Sequence, residues 1–135
     1  MAEQLELVAA AGASATMDKQ KAGAPSVSVV IPAYNEQGAV AETIASVRKV
    51  LDAAGISHEI IVVNDGSTDD TLARARETGV QVVNFPHNGG YGRALKAGIA
   101  VSTGPLVAIL DADGTYPASY LPEMIAMATY NDMVV

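Results

Sequence analysis

From Ser26 onward, short runs of branched apolar residues alternate with longer stretches in which apolar positions recur every three or four residues. The run VSVVI (27–31) predicts a strand closed by Pro32. After it, Val40, Ile44, Val47 and Leu51 fall on one helical face, and Gly55 stops that helix. EIIVV (59–63) predicts a second strand, and Ser67 to Asp70 reads as a helix start, with Ser67 as its cap and acids in its first turn. Gly79 closes this helix. VQVVNF (80–85) predicts a third strand, and GYGRALKAGIAVS (90–102) a helix with Tyr91, Leu95 and Ile99 aligned. LVAIL (106–110) gives a fourth strand, Pro117 to Thr129 a fourth helix, and DMVV (132–135) a fifth strand on which the chain stops.

Strands that are apolar without interruption, alternating with helices of about ten residues or more, predict an α/β fold. Its sheet would be mainly parallel, with helices on both faces and right-handed crossovers. The first 25 residues break this rhythm, being rich in Ala, Gly and Ser. They read as a loose tail, in which Leu5 and Val8, three apart, allow at most a weak helix over Glu3 to Ala11. With no basic start and no sustained apolar segment, they do not predict a signal peptide. Two regions result: a tail over 1–25, disordered or weakly helical, and a folded unit over 26–135.

Composition narrows the function. Half of the 135 residues are hydrophobic, enough for one domain with a sizeable core. Eight basic residues against fifteen acidic ones give a net charge of −7, which argues against a nucleic-acid partner, since that needs clustered Lys and Arg. There are no cysteines, so disulfides and thiolate metal sites are excluded. The longest apolar runs are far shorter than the roughly 18 residues that suggest a membrane span.

The polar residues then cluster where such a fold binds ligands, beyond the carboxyl ends of the strands. PAYNE follows the first strand, NDGSTDD the second and DADGTY the fourth. Residues i and i+2 of a strand point to the same side, so Asp111 and Asp113 aim their carboxylates together at that crevice. Two carboxylates in one crevice repel unless a cation lies between them. A hard divalent ion completed by water and phosphate oxygens would meet that need. The plainer reading stands beside it, because Asp–Gly after a strand is also an ordinary turn. Asp65–Gly66 and Ser67 have the same double reading, as turn and cap or as site. HNGGYGRALKAG looks like a phosphate cradle yet fits neither GxGxxG nor GxxxxGK, and its Gly89–Gly90 pair would also serve as a turn. A helix starting near Gly90 would offer unpaired N–H groups to an anion. His58 and His87 carry no assigned role.

Taken in order and each at a strand end, VSVVIPAYNE, EIIVVNDGSTDDT, NGGYGRALKAG and ILDADGTYP resemble the donor-binding half of family 2 glycosyltransferases of the GT-A fold. Within that family the likeness is to the polyprenyl-phosphate sugar transferases, dolichol-phosphate mannose synthase among them. It covers residues 26–135. The resemblance implies a Rossmann-like GT-A domain, truncated after its fifth strand, with the acceptor half absent. It also implies transfer of a sugar from a nucleoside-diphosphate sugar, with inversion, to a polyprenyl phosphate or a glycan. The cofactor would be Mg²⁺ or Mn²⁺. The place of action would be the cytoplasm or the cytoplasmic face of a membrane.

By the same resemblance Pro32, Ala33, Tyr34 and Glu36 hold the nucleoside, with Tyr34 flanking the ring and Glu36 near the ribose or base. Asp65 bonds the base edge, and Ala112 joins the nucleotide site. Asp111 and Asp113 match the metal-binding DxD, and Thr115 stands where many relatives carry Gln. Tyr91 occupies a place often basic in the family, which leaves Arg93 and Lys96 as cations for the diphosphate. The catalytic base stays unassigned. Two functions remain open: an enzyme represented by its donor-binding fragment, or a non-catalytic nucleotide-sugar-binding module or inactive remnant. The closing strand would have an exposed edge, through which the chain could self-associate. A phosphoacceptor receiver domain would want its acidic pair after the first strand, and a sugar nucleotidyltransferase a Gly-rich basic loop there; PAYNE is neither.

Overall fold

The computed structural model describes residues 6–9, 25–115, 117–128 and 133–134. Six strands form one sheet: β1 (Glu6–Ala9), β2 (Val27–Ala33), β3 (His58–Asp65), β4 (Gln81–Phe85), β5 (Leu106–Ile109) and β6 (Met133–Val134). The helices are α1 (Val40–Ala53), α2 (Thr71–Glu77), α3 (Tyr91–Val101) and α4 (Leu121–Met127), the last preceded by a 3₁₀ turn at Ala118–Tyr120. Among the described residues, no helix is long and apolar enough to cross a membrane.

The strand order is β4-β3-β2-β5-β1-β6. β2 pairs in parallel with β3 on one side and β5 on the other, and β3 pairs in parallel with β4. The chain thus winds outward from β2 to β4 and then returns to β2's other edge as β5. The gap between β2 and β5 is the switch point, where this class of sheet opens a crevice. All seven residues of β2 are buried, as its place at the centre requires.

Pro32 does not close β2 as expected, since the strand runs on to Ala33. The backbone explains why. Leu110 N–H donates to the Val30 carbonyl at 3.0 Å, so Val30 and, two residues on, Pro32 face the β5 edge. The last β2–β5 pair is Val30 with Ile109, so the donor that proline lacks falls where pairing has already ended.

One face of the sheet packs Val29 and Ile31 against Val40, Ile44, Val47 and Leu51 of α1, the helical face read from the sequence. The other face packs Val30, Ile61, Val63 and Ile109 against α3. There the expected stripe holds only at Leu95, which is partly buried against this core. Tyr91 and Ile99 are exposed, and the buried residues of α3 are Ala94 and Gly98. The helix lies so close to the sheet that a Cβ at Gly98 would overlap the Val30 side chain and press on Val63. Small residues face inward because nothing larger fits. Gly98→Ala is accordingly expected to cost about 1–3 kcal/mol, against the gain that Ala normally brings inside a helix. Urea unfolding of the variant checks this, and a stabilised Gly98→Ala would refute the close packing.

Three further expectations change. Residues 6–9 form a strand, antiparallel to β5 with Glu6 opposite Ile109, and not a helical turn or loose tail. The backbone groups of β5's second edge need partners that a helix could not supply. The rest of the expected tail lies outside the described residues. The closing strand, expected as the fifth, is the sixth; described at Met133–Val134, it pairs antiparallel with β1 and stands at the edge of the sheet. The sheet is therefore six-stranded, with its four adjacent strands β4, β3, β2 and β5 parallel. The predicted fourth helix divides into the 3₁₀ turn and α4, and its expected end at Thr129 lies outside the described residues.

Candidate functional site

A cavity of about 220 Å³ opens at the carboxyl ends of β2, β3 and β5. Every motif read from the sequence supplies part of its wall. Pro32, Ala33, Tyr34 and Glu36 come from the end of β2 and the loop after it, and Asp65 from the end of β3. Asp111, Ala112 and Asp113 come from the turn after β5. Eight of the eleven residues singled out in the sequence thus meet around one space.

Asp111 and Asp113 reach it differently from the way the spacing suggested. β5 ends at Ile109, so neither aspartate is in the strand, and the turn over Ala112–Gly114 carries them. Asp111 is buried and Asp113 half-buried. Thr115 is not in the wall. Its backbone N–H donates to Asp113 Oδ1 at 3.0 Å and its hydroxyl to the same oxygen at 2.8 Å, which fixes the carboxylate and turns Oδ2 free of these bonds. Glu36 faces this acidic pair. Its burial, then the charges of Asp113 and Asp69, hold its carboxyl above the usual range.

These residues suit a divalent ion of the Mg²⁺ or Mn²⁺ kind. Among the described residues no three His, Cys, Asp or Glu side chains gather into a metal cluster. Of the four carboxylates in the wall, Asp111 and Asp113 would offer the sparse oxygen set of an ion that keeps water and takes phosphate oxygens. Burial is the larger cause of the raised Glu36, and the repulsion from Asp113 that adds to it is what such a charge would relieve.

The glycine loop behaves otherwise than a phosphate cradle. Gly89 N–H donates to Asp65 Oδ1 at 2.9 Å and Gly90 N–H to Asp65 Oδ2 at 3.0 Å. The Asn88 side-chain amide also donates to Oδ2 at 3.1 Å, and Arg93 Nη2 to Oδ1 at 2.9 Å. An internal carboxylate therefore fills the nest of amides that an external anion was expected to take. Burial alone would raise the Asp65 carboxyl, but the amides of Gly89 and Gly90 and the Arg93 guanidinium together hold it below the usual range. The approach is tight: Gly66, at φ 74°, lies so near the Asn88 backbone that a Cβ there would overlap it.

Arg93 is committed in three directions. Besides Asp65 it donates to the His87 carbonyl, and its guanidinium carbon sits 3.9 Å from the centre of the Phe85 ring. It does not line the cavity, and neither does Lys96, which is exposed on α3. The structure thus does not bring the two expected cations into the site. It adds Asn88, Gly90, Tyr91 and Ala94 to the wall instead. The NGGY run marked that loop in the sequence, but its turn-forming character masked the part that Asn88 and Tyr91 take.

Ser67 is not a helix cap. α2 begins at Thr71, and Ser67 Oγ accepts the Asn35 N–H at 2.9 Å across the neighbouring loop. Asn35 itself stands at φ 52°, the one described residue other than glycine with a positive φ.

Comparison with known proteins gives this geometry its relatives. The chain is 41% identical over 100 residues to an uncharacterized glycosyltransferase of Mycobacterium tuberculosis, covering 74% of this chain and 42% of that protein. It is 38% identical over 108 residues to undecaprenyl-phosphate 4-deoxy-4-formamido-L-arabinose transferase of an Enterobacter species, covering 76% of this chain and 33% of that protein. The chain therefore spans less than half the length of these curated relatives. Among solved structures it resembles glucosyl-3-phosphoglycerate synthase from M. tuberculosis in complex with Mn²⁺, UDP and phosphoglyceric acid. That match has a TM-score of 0.66 and 32% identity, and covers 82% of this chain and 40% of the other. The same synthase with Mn²⁺, UDP-glucose and phosphoglyceric acid matches at a TM-score of 0.65 and 30% identity, covering 83% and 42%. The fold is that of these GT-A glycosyltransferases. The family model described as glycosyl transferase family 2 matches residues 28–135, and the chain belongs to that family.

Proposed function

We propose that residues 26–135 form the donor-binding part of an enzyme that transfers a sugar, with inversion, from a nucleoside-diphosphate sugar to a phosphate-bearing acceptor. The observation that carries this reading is one cavity at the sheet's switch point, lined by Tyr34 and Glu36 as well as by Asp111 and Asp113. An aromatic ring suits a nucleobase, and an acidic pair suits a metal-bound diphosphate. The relatives agree with both halves: the solved synthase holds Mn²⁺ with UDP or UDP-glucose, and the Enterobacter relative is named for undecaprenyl phosphate.

In this reading Pro32 and Ala33 form the floor under the nucleoside, Tyr34 stacks on the base, and Glu36 accepts from the ribose. Asp111 and Asp113 hold Mg²⁺ or Mn²⁺, with Ala112 between them against the nucleotide, and Thr115 acts through Asp113. The chemistry that the ion supplies when bound is neutralisation of the departing diphosphate, where negative charge grows in the transition state. The protein's own share is to hold the donor with its anomeric carbon exposed and its diphosphate fixed. A phosphate acceptor is already anionic and attacks without a general base. A polyprenyl phosphate acceptor would place the reaction at the cytoplasmic face of a membrane.

Calorimetric titration with UDP and with GDP, each with Mn²⁺, tests the proposal. One of the two is expected to bind, and Tyr34→Ala to weaken it by about 1–2 kcal/mol through lost stacking on the base. Tyr34 is 47% exposed, so its removal should leave stability nearly unchanged. Absence of binding by both nucleotides would end this reading.

A further inference from the structure

Tyr34 and Glu36 both line the cavity, and Asn35 between them does not. We infer that Asn35 is a positioning residue, which locks the loop after β2 onto the loop after β3 and so holds Tyr34 and Glu36 in the site. The inference rests on the nucleotide-binding reading above, but its geometry is independent of any ligand.

The lock is reciprocal. Asn35 N–H donates to Ser67 Oγ at 2.9 Å. In return the Thr68 N–H donates to Asn35 Oδ1 at 2.8 Å, joined by the Thr68 hydroxyl at 3.3 Å. Each loop gives the other a donor and an acceptor from adjacent positions. The pattern extends through residues 36 and 37 on one side and 69 to 71 on the other. Glu36 N–H donates to Thr71 Oγ1 at 2.8 Å, the Gln37 N–H to Asp69 Oδ2 at 3.3 Å, and the Asp70 N–H to Gln37 Oε1 at 3.1 Å. Three consecutive amides, 35 to 37, therefore end on side chains of the second loop and of Thr71, the first residue of α2. They have no partner in their own strand or in α1, so this crossing is what orders them.

The left-handed backbone at Asn35 is the hinge of the arrangement. At φ 52° the chain reverses locally, and the side chain of residue 35 turns across to Thr68 while its neighbours turn into the cavity. Asparagine tolerates this conformation better than most residues, and its short amide reaches a backbone N–H. Thr71 is fully buried and ties the second loop to the start of α2, because its N–H and hydroxyl both donate to Asp69 Oδ1. One end of the lock is thus anchored in a helix and the other in the central strand.

Two variants separate backbone strain from the side-chain bond. Asn35→Gly keeps the positive φ and removes the acceptor for Thr68. If the ordered loop is then populated about a tenth of the time, affinity falls about tenfold, because binding is reduced by the competent fraction. Ser67→Ala removes only the acceptor for Asn35 N–H, with an expected loss of about threefold, and Ser67→Thr, which keeps the hydroxyl, should restore it.

The experiment pairs two readouts on the whole chain. Amide hydrogen exchange by NMR should show the 35 to 37 amides losing protection in Asn35→Gly and Ser67→Ala, with the β2 and β3 amides unchanged. Calorimetry with UDP and GDP in Mn²⁺ should show the affinity losses, with Ser67→Thr back at the wild-type value. Failure of the wild-type protein to bind either nucleotide would overturn the nucleotide reading, and exchange would still test the lock. Retained protection in both variants overturns the lock itself. Lost protection with unchanged affinity overturns the positioning role. Should Asn35→Gly unfold, the Ser67 pair decides the matter by the same criteria.

Discussion

A nucleoside diphosphate is expected to bind the wild-type protein at least tenfold more tightly with Mn²⁺ than in EDTA, and Asp113→Ala is expected to remove that difference. The argument is electrostatic. Asp111, Asp113 and Glu36 line one cavity, and burial, then the charges of Asp113 and Asp69, hold the Glu36 carboxyl above its usual range. Two like charges about 4 Å apart repel by about 4 kcal/mol at an effective dielectric near 20, so an incoming diphosphate meets a real barrier. An ion held by the two aspartates converts the repulsion into attraction. Asp113→Ala should therefore act in opposite directions under the two conditions. In EDTA it removes a repelling charge and leaves affinity equal or slightly better. With Mn²⁺ it removes a ligand and weakens binding by about tenfold or more. Calorimetry under both conditions reads this crossing. Equal wild-type affinity with and without Mn²⁺ would falsify the metal assignment. Thr115→Ala, which removes the hydroxyl bond to Asp113 and keeps the backbone one, should fall between.

The sequence pattern carried the sheet and its switch point because those rest on burial. VSVVI and EIIVV are apolar but for Ser28 and Glu59, which hydrogen-bond each other across the two strands, and only a doubly covered strand can use such runs. The α1 face was legible for the same reason, since Val40, Ile44, Val47 and Leu51 all reach the core. α3 shows where periodicity misleads. Of its three aligned large residues only Leu95 packs partly on the core, while Tyr91 and Ile99 stay exposed, because Ala94 and Gly98 let the helix approach the sheet. A moment built on large side chains cannot see a contact made by small ones. The strand at 6–9 was hidden for another reason. Its conformation is set by the open edge of β5, a hundred residues away, and not by any local preference in ELVA.

The site was legible by its position more than by its bonding. That PAYNE, NDGST and DADG would converge follows from the topology, and they do. Which groups would face the ligand does not follow from it. Arg93 looked available to a diphosphate because a cation beside glycines commonly is. Instead the Phe85 ring, the His87 carbonyl and Asp65 each hold part of its guanidinium. Ser67 looked like a cap because Ser before an acidic turn commonly is, and its partner proved to lie on another loop. Both errors have one cause: hydrogen bonds between loops join residues about 30 positions apart, and no local pattern encodes them.

Asp65 gives the second large effect, and it separates two roles for one residue. The resemblance assigned it to the base edge, whereas its carboxylate accepts from Gly89, Gly90, Asn88 and Arg93. If the carboxylate chiefly organises the glycine loop, Asp65→Asn should be destabilised by about 2–4 kcal/mol, because its amide group would set a donor against the donors already there. Little of this belongs to Arg93, whose side chain is 41% exposed and whose ion pair is weakened by solvent. The pH dependence has a definite sign. The Asp65 carboxyl is held below its ordinary value of 3.8, so the stability it contributes is fully present above that value. As pH falls through the lowered value the wild-type carboxyl protonates, and the protein comes to resemble its own Asn variant. Urea unfolding from pH 7 downward should therefore show a constant gap between Asp65→Asn and wild type until about pH 4, and a closing gap below it. A base-reading role alone predicts otherwise: nucleotide affinity would drop in Asp65→Asn with stability unchanged at every pH, and that outcome would return Asp65 to the base edge.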